Sequence, residues 1–128
     1  MAVELNHTII HSPDQRESAE FLAGILGLAV GDEWGPFLPV QTANGVTLDF
    51  LTSPAEAITR QHYAFLLSDT EWDAAFARIK QAGIRYWADP HLRRPEEVNH
   101  HDGGSGLYFL DPGGHAMEII TRPYGSGD

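Results

Sequence analysis

Seven histidines, eighteen acidic side chains and no cysteine set the chemical options of this 128-residue chain. Without thiols there is no disulfide, no thiolate nucleophile and no sulfur-ligated metal, so any metal must be held by nitrogen and oxygen. Three residues stand out by position. His7 and His62 each lie near the start of a strand-like run, and Glu118 is flanked by Met117 and Ile119 in a run that otherwise reads as buried strand. Two imidazoles and a carboxylate on separate strands suit a facial site for one divalent metal, Fe(II), Mn(II), Zn(II) or Ni(II), with other positions open to water or substrate. A mid-strand histidine is also commonly satisfied by a hydrogen bond, so residue types alone leave both readings open. A buried lone carboxylate, by contrast, is costly without a metal or a cationic partner.

The elements that must position these residues form an internal repeat, each half reading strand, helix, then further strands. In the first half, Glu4 to His11 reads as a strand. Ser12-Pro13-Asp14-Gln15 then gives an N-cap, a proline at the first helical position and a capping-box glutamine. Phe21, Leu22, Ile25 and Leu26 fall at helical spacing, and Gly27 is the terminator. Strands follow at Gly35 to Thr42 and Val46 to Thr52, joined by Asn44-Gly45. In the second half, Gln61 to Leu67 is a strand and Ser68-Asp69-Thr70-Glu71 a capping box. Trp72, Ala75, Phe76, Ile79 and Ala82 make a core stripe, which assigns no chemistry to Trp72 or Phe76, and Gly83 closes the helix. Further strands are expected at Ile84 to Trp87, Gly106 to Leu110 and Ala116 to Thr121, the last two joined by the turn Asp111-Pro112-Gly113-Gly114.

Superposing the halves places His7 on His62, an offset of 55, and Asp49 on Glu118, an offset of 69. The additional 14 residues fall in Ala88 to Ser105, an inserted loop long enough to carry function. Strand alternation puts His62 on the face opposite Tyr63, Phe65 and Leu67, looking away from the helix. In the loop, His100 and His101 are open to solvent or to function, and Arg93 and Arg94 to solvent or an anionic group. His115, just past the turn, reads as structural.

The resemblance is to the vicinal-oxygen-chelate superfamily, which comprises glyoxalases, extradiol dioxygenases, fosfomycin-modifying enzymes and bleomycin-binding proteins. It covers nearly the whole chain. It implies an α+β fold of two tandem βαβββ modules, about 4–52 and 61–122 of a single domain 1–128, forming a curved mixed sheet around a metal cavity. It also implies His7, His62 and Glu118 as metal ligands. The stretch Asn99 to Glu118, NHHDGGSGLYFLDPGGHAME, is similar to the signature of extradiol ring-cleavage dioxygenases. By that resemblance His101 is an acid/base beyond the metal ligands, and Tyr108 a hydrogen-bond donor to a substrate oxygen. Gln61 to Phe65, QHYAF, and Thr121 to Gly125, TRPYG, resemble a small branch that includes a dioxygenase of chartreusin biosynthesis. Most extradiol enzymes carry two module pairs and this chain carries one. The resemblance therefore implies a homodimer, with His7 joining His62 and Glu118 either within one chain or from one chain to its partner.

The leading expectation is an Fe(II)- or Mn(II)-dependent dioxygenase acting on an aromatic vicinal diol or polyketide-type substrate with molecular oxygen. Fe(II) is the first choice of metal, with Mn, Zn or Ni as alternatives. A glyoxalase-type isomerase or lyase is the second expectation, because Asp49 stands where such relatives place a fourth, carboxylate ligand. A metal-free drug-binding dimer is the third. A formal charge of −10 argues against nucleic acid. The absence of a long apolar run, and an N-terminus, MAVELNHTII, unlike a signal peptide, point to the cytoplasm and away from a membrane.

Overall fold

In the computed structural model, which describes residues 2–127, the chain forms two compact units, Met1–Thr59 and Arg60–Asp128. The first contains β1 (His7–Ser12), α1 (Gln15–Leu26), β2 (Leu38–Gln41) and β3 (Thr47–Thr52). β1 runs parallel to β3 and β2 antiparallel to it, in the order β1-β3-β2. Alternation sorts the side chains cleanly. Ile10, Leu38, Val40, Leu48 and Phe50 are buried with Ala19, Leu22, Ala23 and Ile25 of α1, each large side chain contributing roughly 1.5–3 kcal/mol by leaving water. His7, Ile9, His11, Pro39 and Asp49 occupy the opposite face by register.

The helix begins later than its sequence suggests. Asp14, not Ser12, is the N-cap, and its carboxylate accepts from the Arg16 and Glu17 amides, each at 3.1 Å. Ser12 is the last residue of β1, paired with Thr52, and its hydroxyl turns instead to Ser18 Oγ at 2.6 Å and the Asp14 carbonyl. Gln15 makes no capping box. It exchanges two hydrogen bonds with Thr52, tying the helix start to β3. Gly27 ends the helix in the left-handed conformation, φ 72°, as expected.

The second unit repeats the plan with β4 (His62–Leu66), α2 (Asp69–Gln81), β5 (Gly106–Leu110) and β6 (Ala116–Ile120), in the order β4-β6-β5. α2 opens with the complete Ser68/Glu71 capping box. Trp72 locks it to the sheet by donating from Nε1 to the Ile119 carbonyl at 3.1 Å in the core. The strand expected at Ile84 to Trp87 does not form. The Ile84 amide is spent closing the helix on the Ile79 carbonyl, and only Trp87 bridges β5, exchanging two backbone bonds with Tyr108. In the first unit, Val30 bridges Val40 of β2 in the same manner. The outermost strand of each βαβββ module is thus reduced to a single bridge, leaving one three-stranded mixed sheet in each unit among the described residues. No helix among the described residues is long and apolar enough to cross a membrane.

Strand register makes the repeat quantitative. Ile9 pairs with Asp49 and Asp49 with Pro39; Ala64 pairs with Glu118 and Glu118 with Tyr108. The offsets that align His7 with His62 and Asp49 with Glu118 therefore also align Ile9 with Ala64 and Pro39 with Tyr108.

Candidate metal centre

β4, β6 and β5 set His62, Glu118 and Tyr108 on one face of the second sheet, away from the core formed by Leu107, Phe109, Met117 and Ile119. Glu118 is fully buried, whereas the His62 side chain is 46% exposed, so the pair joins a sequestered carboxylate to a ring that solvent reaches. His62 Nε2 lies 2.8 Å from Glu118 Oε1. Two ligands at about 2.1 Å from a metal and at right angles to each other stand about 3.0 Å apart, so this pair already has the spacing of neighbouring ligands. Without a metal, the same distance is a hydrogen bond that partly offsets the several kcal/mol it costs to bury a carboxylate. The donor set fits a divalent metal: one imidazole nitrogen, one carboxylate oxygen, no sulfur. Among the described residues, no group of three or more His, Asp or Glu side chains has the spacing of a complete site; the second unit by itself supplies two donors.

The second oxygen of Glu118 is also engaged. The Tyr124 hydroxyl donates to Oε2. With its proton so committed, Tyr124 can only accept from the Tyr108 hydroxyl, 3.0 Å away. The result is a directed chain, Tyr108 to Tyr124 to Glu118. Burial, the bond to Tyr124 and the nearby Glu118 charge raise Tyr108 far above the ordinary phenol value. Burial and the bond to Glu118 raise Tyr124 as well. Both hydroxyls therefore keep their protons and act as donors. The Tyr108 ring also stands edge-on to His62, with centroids 5.6 Å apart. Tyr124 carried no assignment from sequence. The signal was the TRPYG run itself, whose tyrosine follows a proline just past β6.

His101 opens a 3₁₀ turn, His101–Gly103, and is exposed, with its ring 6.5 Å from that of Tyr124. Asn99, nearly buried, anchors the loop by donating to the Ala88 carbonyl at 2.9 Å and accepting from the His101 amide at 3.4 Å. His100 donates from Nδ1 to the Gly104 carbonyl. The Asp89 carboxylate accepts from the Arg93 and Arg94 amides, and the Arg94 guanidinium pairs with Glu97 at 2.8 Å, so Arg94 is already partnered. His115 is buried and accepts the Gln61 amide on Nδ1 at 3.0 Å, a structural role. In the first unit, exposed His7 holds Asn6 Oδ1 with Nδ1 at 2.8 Å, which leaves Nε2 as the available lone pair. Asp49 is half-buried, at the position that the repeat makes equivalent to Glu118.

Duplicated βαββ units, one of them setting a half-exposed imidazole against a buried carboxylate backed by two phenols, are the architecture of the vicinal-oxygen-chelate class. The chain belongs to the Glyoxalase/Bleomycin resistance protein/Dioxygenase superfamily, whose profile matches residues 4–119. Among solved structures it is similar to the oxidase ChaP-H2, with 59% identity, full coverage of both chains and a TM-score of 0.96. It is also similar to the oxidase ChaP-H1, with 54% identity, 98% of this chain and 100% of that one covered, and a TM-score of 0.92. These likenesses are consistent with the small branch to which QHYAF and TRPYG pointed. Glutathione transferase FosA of Serratia marcescens is 29% identical over 125 residues, covering 93% of this chain and 81% of the relative.

Proposed function

We propose that this chain is a metal-dependent oxidase of dioxygenase-like type that acts on an aromatic vicinal diol or polyketide-type substrate. The observation that carries the reading is the buried Glu118 set against His62 Nε2, in a chain 59% identical over its full length to an oxidase. His7, His62 and Glu118 would hold one divalent metal, Fe(II) first, with Mn, Zn or Ni as alternatives. Bound there, it supplies a Lewis acid with positions open to two neighbouring substrate oxygens and to molecular oxygen.

The remaining work falls to the chain. Glu118 provides the negative charge that balances the site, and His62 reaches it from the solvent side. Tyr108, whose hydroxyl burial and Glu118 keep in the donor form, offers a substrate oxygen a hydrogen bond in exchange for the one it gives Tyr124. His101, exposed on the loop beside Tyr124, moves protons between substrate and solvent, a role worth about 10²–10⁴ in rate. The acting form is a homodimer in which the histidine of the first module completes the site. The partners are a small-molecule substrate and dioxygen.

The test is metal content of protein purified anaerobically, followed by oxygen uptake with catechols. About one Fe or Mn per chain with catechol-dependent uptake supports the reading. No metal retained after Fe(II) is supplied refutes it and leaves the small-molecule binding dimer. A glyoxalase-type lyase is the second reading, favoured by Asp49 occupying the position that the repeat makes equivalent to Glu118. Asp49→Asn separates the two, abolishing lyase turnover while sparing oxygen uptake.

A further inference from the structure

Tyr124 lies beyond the last strand, on a segment that the protein pins down with care. The Thr121 amide bonds to the Ser105 carbonyl and the Ser105 amide to Thr121 Oγ1, at 3.0 and 2.8 Å. Gly104 is pressed so close that a Cβ there would meet Thr121 Oγ1 at 2.5 Å and Arg122 Cγ at 2.7 Å. Past Tyr124, the Gly125 amide donates to Asp102 Oδ2 at 3.1 Å, and the Ser126 amide closes a turn on the Pro123 carbonyl. The tyrosine is thereby held from both sides, the residue 56% exposed and its hydroxyl directed inward to the fully buried carboxylate of Glu118. A half-exposed aromatic ring with so many anchors is not placed for core packing.

We infer that Tyr124 is a positioning residue of the metal centre, fixing Glu118 as a ligand through one oxygen only. This rests on the metal-centre reading above. Oε2 is occupied by the phenol, so only Oε1, the oxygen beside His62 Nε2, faces the metal position. Freed of that bond, a carboxylate can turn both oxygens to a divalent ion and fill a coordination position the substrate needs. The same phenol oxygen accepts the hydrogen bond donated by Tyr108 and so aims the Tyr108 hydroxyl. One side chain on a C-terminal strap thus sets both the denticity of the acid and the direction of the donor.

Co(II) alone is the probe, added to metal-free wild type, Tyr124→Phe and Asp102→Ala. Tyr124→Phe keeps the ring and its edge contact with His101, so loss of the hydroxyl is the only change. Its Co(II) affinity should shift by about 10–100-fold, with a weaker visible absorption band as coordination number rises. Asp102→Ala, which frees Gly125, should move the band in the same direction by a smaller amount. A purely structural Tyr124 would change the melting temperature and leave the Co(II) spectrum as in wild type, and that result overturns the inference while the metal centre stands. Wild type that takes up no Co(II) overturns both.

Discussion

Glu118→Gln gives the sharpest test of the centre, because it keeps the shape of the side chain and removes only its charge. The metal-free protein should not suffer. Glu118 is fully buried, its charge balanced by nothing stronger than a half-exposed imidazole and a phenol. Removing that charge relieves the several kcal/mol that its burial costs, and the partner left behind, His62, is half-exposed and can be solvated by water. On the proposed reading, the metal-loaded protein should behave oppositely. At a free metal concentration of about 100 times Kd, binding stabilises wild type by about 2.7 kcal/mol. With about 2.1 cal/mol/K of unfolding entropy per residue, the 128-residue chain changes by about 0.27 kcal/mol per degree, so its Tm should rise by about 10 °C. The assay is a pair of thermal melts for each protein, chelated and with Mn(II) or Fe(II) under anaerobic conditions. Expected are a metal-dependent rise in wild type, none in Glu118→Gln, and an unchanged or higher Tm for the chelated variant. A variant that keeps the full rise would show that Glu118 is no ligand. A chelated variant melting far below wild type would show that the buried charge is not the burden supposed here.

Other consequences follow from single contacts. Asp111 is buried, with Oδ1 accepting the His115 amide and Oδ2 without a partner, and burial raises it above its ordinary value of 3.8. A carboxyl whose folded pKa is raised contributes stability below its unfolded pKa and loses it as pH climbs through the folded one. The stability of wild type relative to Asp111→Asn should therefore fall as pH rises from about 3.5 towards neutrality, as read by urea unfolding at each pH; a flat difference would contradict the raised pKa. Trp72→Phe strips the Ile119 carbonyl of its buried donor and leaves a gap beside it. Together these should cost about 2–4 kcal/mol in urea, and a loss below about 0.5 would mean that the indole bond contributes nothing. Gly106→Ala would bring a methyl to 2.8 Å from Asn99 Oδ1, displacing the side chain that fastens the loop to Ala88. Amide exchange should speed up between residues 89 and 104, with β6 unaffected.

Much of this plan can be read directly from sequence, and its failures have local causes. Ser68 to Glu71, Gly27, Gly83 and Asn44-Gly45 behave as their chemistry dictates, because a cap or a positive φ is decided within a few residues. Ser12 and Ile84 mislead for the opposite reason. Ser12 is claimed by its pairing with Thr52 and Ile84 by the end of α2, and neither competitor is visible in a local window. β1 starts at His7 rather than Glu4 because its partner β3 starts at Thr47, so residues 4–6 have no ladder to join beyond the Asn6 carbonyl. Among the site residues, His62, Glu118 and Tyr108 come from the period-2 alternation of three strands, and register sets them on one face. Tyr124 escaped because it lies on irregular chain, where no periodicity says which way a side chain points. Only the bonds of Asp102 and Ser105 decide that.

The repeat also explains why a doubled fold would carry a single centre. Equivalent rows of the two sheets read Ile9, Asp49, Pro39 and Ala64, Glu118, Tyr108. Both rows have a small or apolar residue on the first strand and an acid on the middle one, so backbone geometry does not distinguish them. Side-chain chemistry does. Glu reaches about 1.5 Å further than Asp, one additional carbon bond, and Tyr108 supplies a phenol where Pro39 has neither a hydroxyl nor an N–H. The strap that carries Tyr124 likewise follows β6, whereas β3 is followed by Ser53, whose hydroxyl is taken by His11 at 2.8 Å. The first module thus has the histidine at the head of its strand but no tyrosine to set beside its acid. A duplicated scaffold with one elaborated half can lend a ligand from the other half without building a second site. That division of labour is what the proposed pairing of His7 with His62 and Glu118 requires.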